Sequence, residues 1–181
     1  MKKTKKIALV ALLLASTIVL SRFLSIRTPI VTIGFSFIPR MLTAIILGPK
    51  YSIAVSGLAD IIGALLFPSG AFYFGFTVSA LTSGLIHGLM LFRKGAFRVD
   101  KKFVLRLVFS CILVTVLVNG VMNTIWVMAT AQNAAGIIMS TRIIKQLAML
   151  PIQIGTMLLL AKALEKQIDR LKNDRARKSE L

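Results

Sequence analysis

Three sets of polar and aromatic residues recur at helical spacing within apolar surroundings. Thr115, Asn119, Asn123 and Trp126 follow one another at intervals of four, four and three residues, which lines them along one helix face. Arg142, Gln146, Met149 and Gln153 repeat at four, three and four residues, with Lys145 beside them. Phe72, Phe76, Ser79 and Ser83 make a third stripe, aromatic at one end and hydroxylic at the other. Carboxamides offer donors and acceptors together, and an indole offers a flat face to stack on. The combination suits a planar heterocycle with several hydrogen-bonding edges. Arg22, Arg27, Arg142 and Lys145 gather toward the same end and suit carboxylates on that ligand. The expectation is a cavity between helices, open to one side. The alternative is that the stripes satisfy one another across helix contacts and form an interfacial aromatic belt.

Reactive combinations are scarce. Asp60, His87 and Cys111 are the titratable candidates inside apolar runs; they stand far apart and no nucleophile motif accompanies them, so no enzyme is expected. A single cysteine excludes an internal disulfide or a paired-cysteine site, and a single histidine argues against structural zinc, so neither metal nor cofactor is expected. No G-x-x-x-x-G-K-[ST] segment occurs, and the chain therefore lacks a phosphate cradle for an ATPase of its own. Arg40 and Asp60 lie 8 and 11 residues from the Gly48-Pro49 turn, heights that antiparallel helices would match, and the expectation is a structural ion pair. His87, between Gly84 and Gly88, is expected to bond a neighbouring helix that the small residues let approach closely.

The medium that must hold these residues is a bilayer. The chain has 181 residues and 19.8 kDa, with 56% hydrophobic residues, 16% charged and a mean hydropathy of +0.83. A soluble domain carries about a quarter charged residues. Apolar runs at 7–24, 31–47, 51–67, 71–92, 103–129 and 143–164 predict an all-α membrane domain of six transmembrane helices over 1–181, with a basic tail at 165–181. The first run follows a lysine-rich start but shows no convincing cleavage site, and it is read as an uncleaved helix. A net charge of +17 would suggest nucleic acid in a soluble protein, yet most of the 23 basic residues flank apolar runs on one side, where they act as topology signals. Both termini are therefore expected in the cytoplasm, the tail as a solvated extension of the last helix. Ala8, Ala11 and Ala15 share one face of the first helix and would let another helix pack closely.

With these elements in view, the chain resembles the substrate-binding S components of energy-coupling-factor (ECF) vitamin transporters, most closely the folate-specific branch. The resemblance covers nearly the whole chain. It rests on the six short-looped spans, the alanine-rich first helix, the segment from Arg22-Phe23-Leu24-Ser25-Ile26 through Thr28-Pro29 to Phe37-Ile38-Pro39-Arg40, and Pro68-Ser69-Gly70 followed by Gly75-Phe76-Thr77. The Gly-Phe-Thr part is shared loosely among several S components; the arginines of the first loop with Asn119, Asn123 and Trp126 point to folate.

The resemblance implies high-affinity capture of folate or a reduced folate from outside a bacterial plasma membrane, with transport powered by a separate coupling protein and two ATPases. It implies that Arg22, Arg27 and Arg142 or Lys145 take the glutamate carboxylates, and that Asn119, Asn123, Gln146 and Gln153 take the pterin edges. Trp126, Phe72 and Phe76 would stack on the rings. Ala8, Ala11 and Ala15 would form the surface for the coupling protein. Alternatives are an S component for another vitamin or precursor, such as pantothenate or a deazapurine, or a membrane scaffold without ligand.

Overall fold

The computed structural model describes residues 3–27, 32–68, 73–93, 95, 97–130 and 135–176. Helix α1 (Lys3–Arg22) leads into two short strands, β1 (Ser25–Arg27) and β2 (Thr32–Gly34), followed by α2 (Phe37–Leu47), α3 (Pro49–Leu66) and α4 (Phe74–Leu91). Then come α5 (Lys101–Leu113), a π-helical segment (Val114–Met122), α6 (Asn123–Thr130), α7 (Ala135–Ala163) and α8 (Glu165–Ala176). Among the described residues, five helical stretches are long and apolar enough to cross a membrane: Thr4–Arg22, Pro49–Leu66, Phe74–Leu91, Lys101–Ala129 and Ile144–Ala163.

The second helix departs from the expected 31–47. It begins at Phe37 and has 11 residues, a rise of about 16 Å against the roughly 30 Å of a hydrocarbon core. The chain before it pairs as a strand, with Ser25 opposite Gly34, Ile26 opposite Ile33 and Arg27 opposite Thr32 in antiparallel register. Backbone polar groups at membrane depth need internal partners, and this ladder supplies them where the helix stops. Met41, Ala44, Ile45 and Leu47 are all buried, so α2 is wrapped by its neighbours and forms the centre of the core. At its end Gly48 has φ 86°, a left-handed conformation, and Pro49 follows in the first turn of α3. That pair turns the chain back sharply and sets α3 antiparallel to α2.

Helices α3 and α4 pack through small residues. A Cβ on Gly84 would stand 2.6 Å from the Ser52 carbonyl oxygen, and one on Gly88 would collide with Pro49. The expected close approach at this Gly-x-x-x-Gly is therefore present, and His87 between the two glycines bonds Ser110 of α5, Nδ1 to Oγ 2.6 Å. α5, the π segment and α6 run on as one helical rod. The π segment departs from the 3.6-residue period of the expected helix, and such segments commonly occur at functional sites.

Below the bundle, the Asp100 carboxylate caps α5 by accepting from the Phe103 amide at 2.7 Å and pairs with Arg93 at 2.9 Å. Arg93 and that amide hold the Asp100 carboxyl below its ordinary range. The tail is not a solvated extension up to its described end. The long helix breaks at Leu164, and α8 folds against the loop between α4 and α5. Ile168 is buried, Asp169 accepts from the Phe97 amide at 2.8 Å, and the Lys172 ammonium donates to the Arg93 carbonyl at 3.0 Å while lying over the rings of Phe92 and Phe97.

The contact between α3 and α4 makes a stability prediction. Gly84→Val should destabilise the folded chain by about 1–3 kcal/mol, the usual range for overpacking. Gly155→Ala, where a Cβ would meet nothing within 4 Å, should leave the thermal midpoint in detergent unchanged or raise it. Equal midpoints for the two variants would refute the packing account.

Candidate ligand cavity

A cavity of about 330 Å³ opens among the hairpin, α1, α2, α3, α4, the π segment, α6 and α7, a size in the range of small-molecule sites. Its hairpin side is hydroxylic, with Ser21, Ser25 and Ser36 beside Gly34. A second wall comes from three consecutive helices: Arg40 of α2, Asp60 of α3, and Phe76, Ser79, Ser83 and His87 of α4. The third carries Asn119 and Asn123 opposite Lys145, Gln146 and Gln153 of α7. The three stripes read from the sequence thus converge on one space.

Local geometry shows how this wall is built. The Asn123 amide donates to the Asn119 carboxamide oxygen at 3.2 Å, which couples the two across one turn, and Asn123 Oδ1 is buried without a hydrogen-bond partner. Asp60 Oδ2 accepts from the Thr77 hydroxyl at 2.8 Å, and an Arg40 Nη2 donates to Ser36 Oγ at 3.2 Å. Arg40 Nε is buried with no partner. Among the described residues, the expected ion pair between Arg40 and Asp60 is absent. The two charges instead share the cavity as separate groups. A lone charge in hydrocarbon is costly unless it faces water, a ligand or a partner, and here both face the same polar space.

Six of the anticipated site residues line this cavity: Phe76, Asn119, Asn123, Lys145, Gln146 and Gln153. Trp126 stands beside it. Its indole donates to Ser79 Oγ at 3.0 Å, lies 5.8 Å from the Tyr73 ring, and packs so tightly on Gly75 that a Cβ there would come within 2.5 Å. Arg22 is set apart; its guanidinium donates to the Phe67 carbonyl at 3.2 Å and covers Gly63, tying the end of α1 to that of α3. Phe72 and the side chains of Arg27 and Arg142 lie outside the described residues. Ala8, Ala11 and Ala15 are all exposed along one side of α1.

Arg40, Asp60 and His87 are the titratable lining residues that the helical stripes did not collect, since each is the lone charged or titratable group of its helix wall. Their signal was the cost of an intramembrane charge, which identifies a residue without saying whether a partner or a cavity offsets it. Among the described residues no group of three or more His, Cys, Asp or Glu side chains could hold a metal ion.

A membrane bundle enclosing a polar cavity with stacking rings at its edge belongs to the class of small-solute binders. Residues 1–166 match the family model described as ECF-type riboflavin transporter, S component. The folate transporter FolT of Clostridium novyi (strain NT) is 38% identical over 152 residues, covering 84% of this chain and 85% of that protein. FolT of Leuconostoc mesenteroides subsp. mesenteroides is 34% identical over 157 residues, covering 84% and 82%. A crystal structure of FolT bound with folic acid superposes with a TM-score of 0.79 at 31% identity, covering 88% of this chain and 94% of that one. The chain belongs to the S components of ECF-type transporters. It is a multi-pass protein of the bacterial cell membrane and a transport subunit, not an enzyme.

Water should reach one side of α7 and not the other. With Cys111 replaced by Ser, Gln146→Cys should react with a charged, water-soluble methanethiosulfonate reagent, whereas Leu147→Cys, on the exposed apolar side of the same helix, should not. Equal labelling rates would contradict the division of α7 into a wet and a lipid-facing side.

Proposed function

We propose that this chain captures folate as the substrate-binding S component of an ECF-type importer. The observation that carries this reading is the cavity itself, in which two Asn, two Gln and a lysine surround a space of ligand size. Its carboxamides match the alternating donors and acceptors of a pterin ring, and the Lys145 ammonium matches the carboxylates of the glutamate tail. The curated relatives are folate transporters and the solved relative holds folic acid. The family description names riboflavin, a neutral tricyclic ligand with no use for cations at the mouth.

In this reading, Lys145, with Arg27 and Arg142, attracts the tail carboxylates, Arg22 adds its charge from the junction of α1 and α3 where it holds the Phe67 carbonyl, and Asn119, Asn123, Gln146 and Gln153 hold the ring edges. Phe72, Phe76 and Trp126 supply aromatic surface. The chain forms one membrane domain of six crossings with both termini in the cytoplasm. The short α2 and the hairpin before it make the second crossing, and the basic residues gathered on the terminal side set the orientation. The exposed small face of α1 at Ala8, Ala11 and Ala15 receives a separate transmembrane coupling protein, which works with two ATPases. Folate itself is the only ligand required, with no metal or cofactor.

The test is titration of the purified chain with folic acid, riboflavin and pantothenate, following quenching of its single tryptophan, Trp126, with calorimetry alongside. Folic acid alone should bind tightly. Flat calorimetric traces with folic acid from folded protein would withdraw the assignment, and tight binding of riboflavin or pantothenate would move it to another vitamin. Asn123→Ala should weaken folic acid by about tenfold or more, the cost of leaving buried polar groups unmatched, with the melting curve preserved. Ala11→Trp should retain binding yet abolish folate uptake by cells that express the coupling module; surviving uptake would place the docking surface elsewhere.

A further inference from the structure

The charged groups in the cavity wall bear on which flat heterocycle it accepts. Asp60 is half-buried and lines the cavity, and among the described residues the Thr77 hydroxyl, donating to Oδ2, is its one hydrogen-bond partner. A carboxylate is acceptor-only and its two oxygens offer about four lone-pair sites, so most of its accepting capacity is unspent. It is not consumed by an ion pair with Arg40. The guanidinium nevertheless lines the same space, and a cation there lowers the cost of an ionised carboxylate inside the bilayer.

Resting on the folate reading above, we infer that Asp60 is the specificity-determining residue of this cavity, accepting the N3–H and 2-amino protons of a 2-amino-4-oxopteridine. Those two donors are adjacent and parallel, and they match the two oxygens of a carboxylate as a bidentate pair. An isoalloxazine carries a carbonyl where the pterin carries its 2-amino group. Against Asp60 it would set an acceptor facing an acceptor, an unmatched contact that a desolvated site penalises heavily. One residue thus separates folates from flavins within a shared architecture. Thr77 is a positioning residue: its hydroxyl holds Asp60 Oδ2.

The experiment compares folic acid with its analogue in which the 2-amino group is replaced by oxo, using calorimetry on the wild-type chain and on Asp60→Asn. The wild type should prefer folic acid by at least about tenfold, the range for hydrogen bonds to a charged group. In Asp60→Asn that preference should shrink toward unity. An equal preference in both proteins, or none in the wild type, would overturn the inference while leaving folate capture intact. Failure of the wild type to bind folic acid at all would instead remove the reading on which it rests. If Asp60→Asn does not fold, Thr77→Val keeps the question open to measurement. Its preference should fall with the melting temperature unchanged, and an undiminished preference would count against Asp60.

Discussion

Every polar group at membrane depth needs a partner that hydrocarbon cannot supply, and this constraint governs the whole structure. It explains why α2 is short and enclosed, since the chain before it satisfies its backbone in a two-stranded ladder rather than in helix. It explains the serines and carboxamides that line one interior space. It also explains why Arg40 and Asp60 stand around a cavity, where a polar ligand or water can reach them.

Much of the helical layout was legible because apolar runs long enough to cross a bilayer carry a strong signal. The starts of α2 and α8 were not. Val31 to Ser36 reads as apolar and continuous with the helix behind it, and only pairing with Ser25 to Arg27, a tertiary event, turns part of it into strand. Residues after Leu164 read as a charged extension. Their docking depends on Asp169 and Lys172 meeting Phe97 and Arg93, about seventy to eighty positions earlier in the chain. The tight contact of α3 with α4 was visible in Gly84 and Gly88 because glycine spacing is itself the mechanism of approach.

The cavity shows the same division. Asn119, Asn123, Gln146 and Gln153 could be found from spacing, because polar residues at helical intervals share a face regardless of what opposes them. What spacing does not reveal is which other contacts these residues make. Trp126 shares the stripe of Asn123 yet is drawn into a bond with Ser79 and a contact with Tyr73. Arg22 sits among the outer cations yet closes α1 onto α3 through the Phe67 carbonyl. In the opposite direction, Arg40 and Asp60 match in height yet form no ion pair among the described residues, since height along two helices is readable and rotation about their axes is not.

One polar space, built from α2 to α4 and from the π segment to α7, holds the vitamin in this reading. A crystal structure of this chain with folic acid tests it most directly. The account predicts ring density between the Asp60 wall and the Asn119–Asn123 wall, with the glutamate tail leading toward the hairpin. Ordered folic acid anywhere outside this space, in a chain that binds it tightly, would contradict the account.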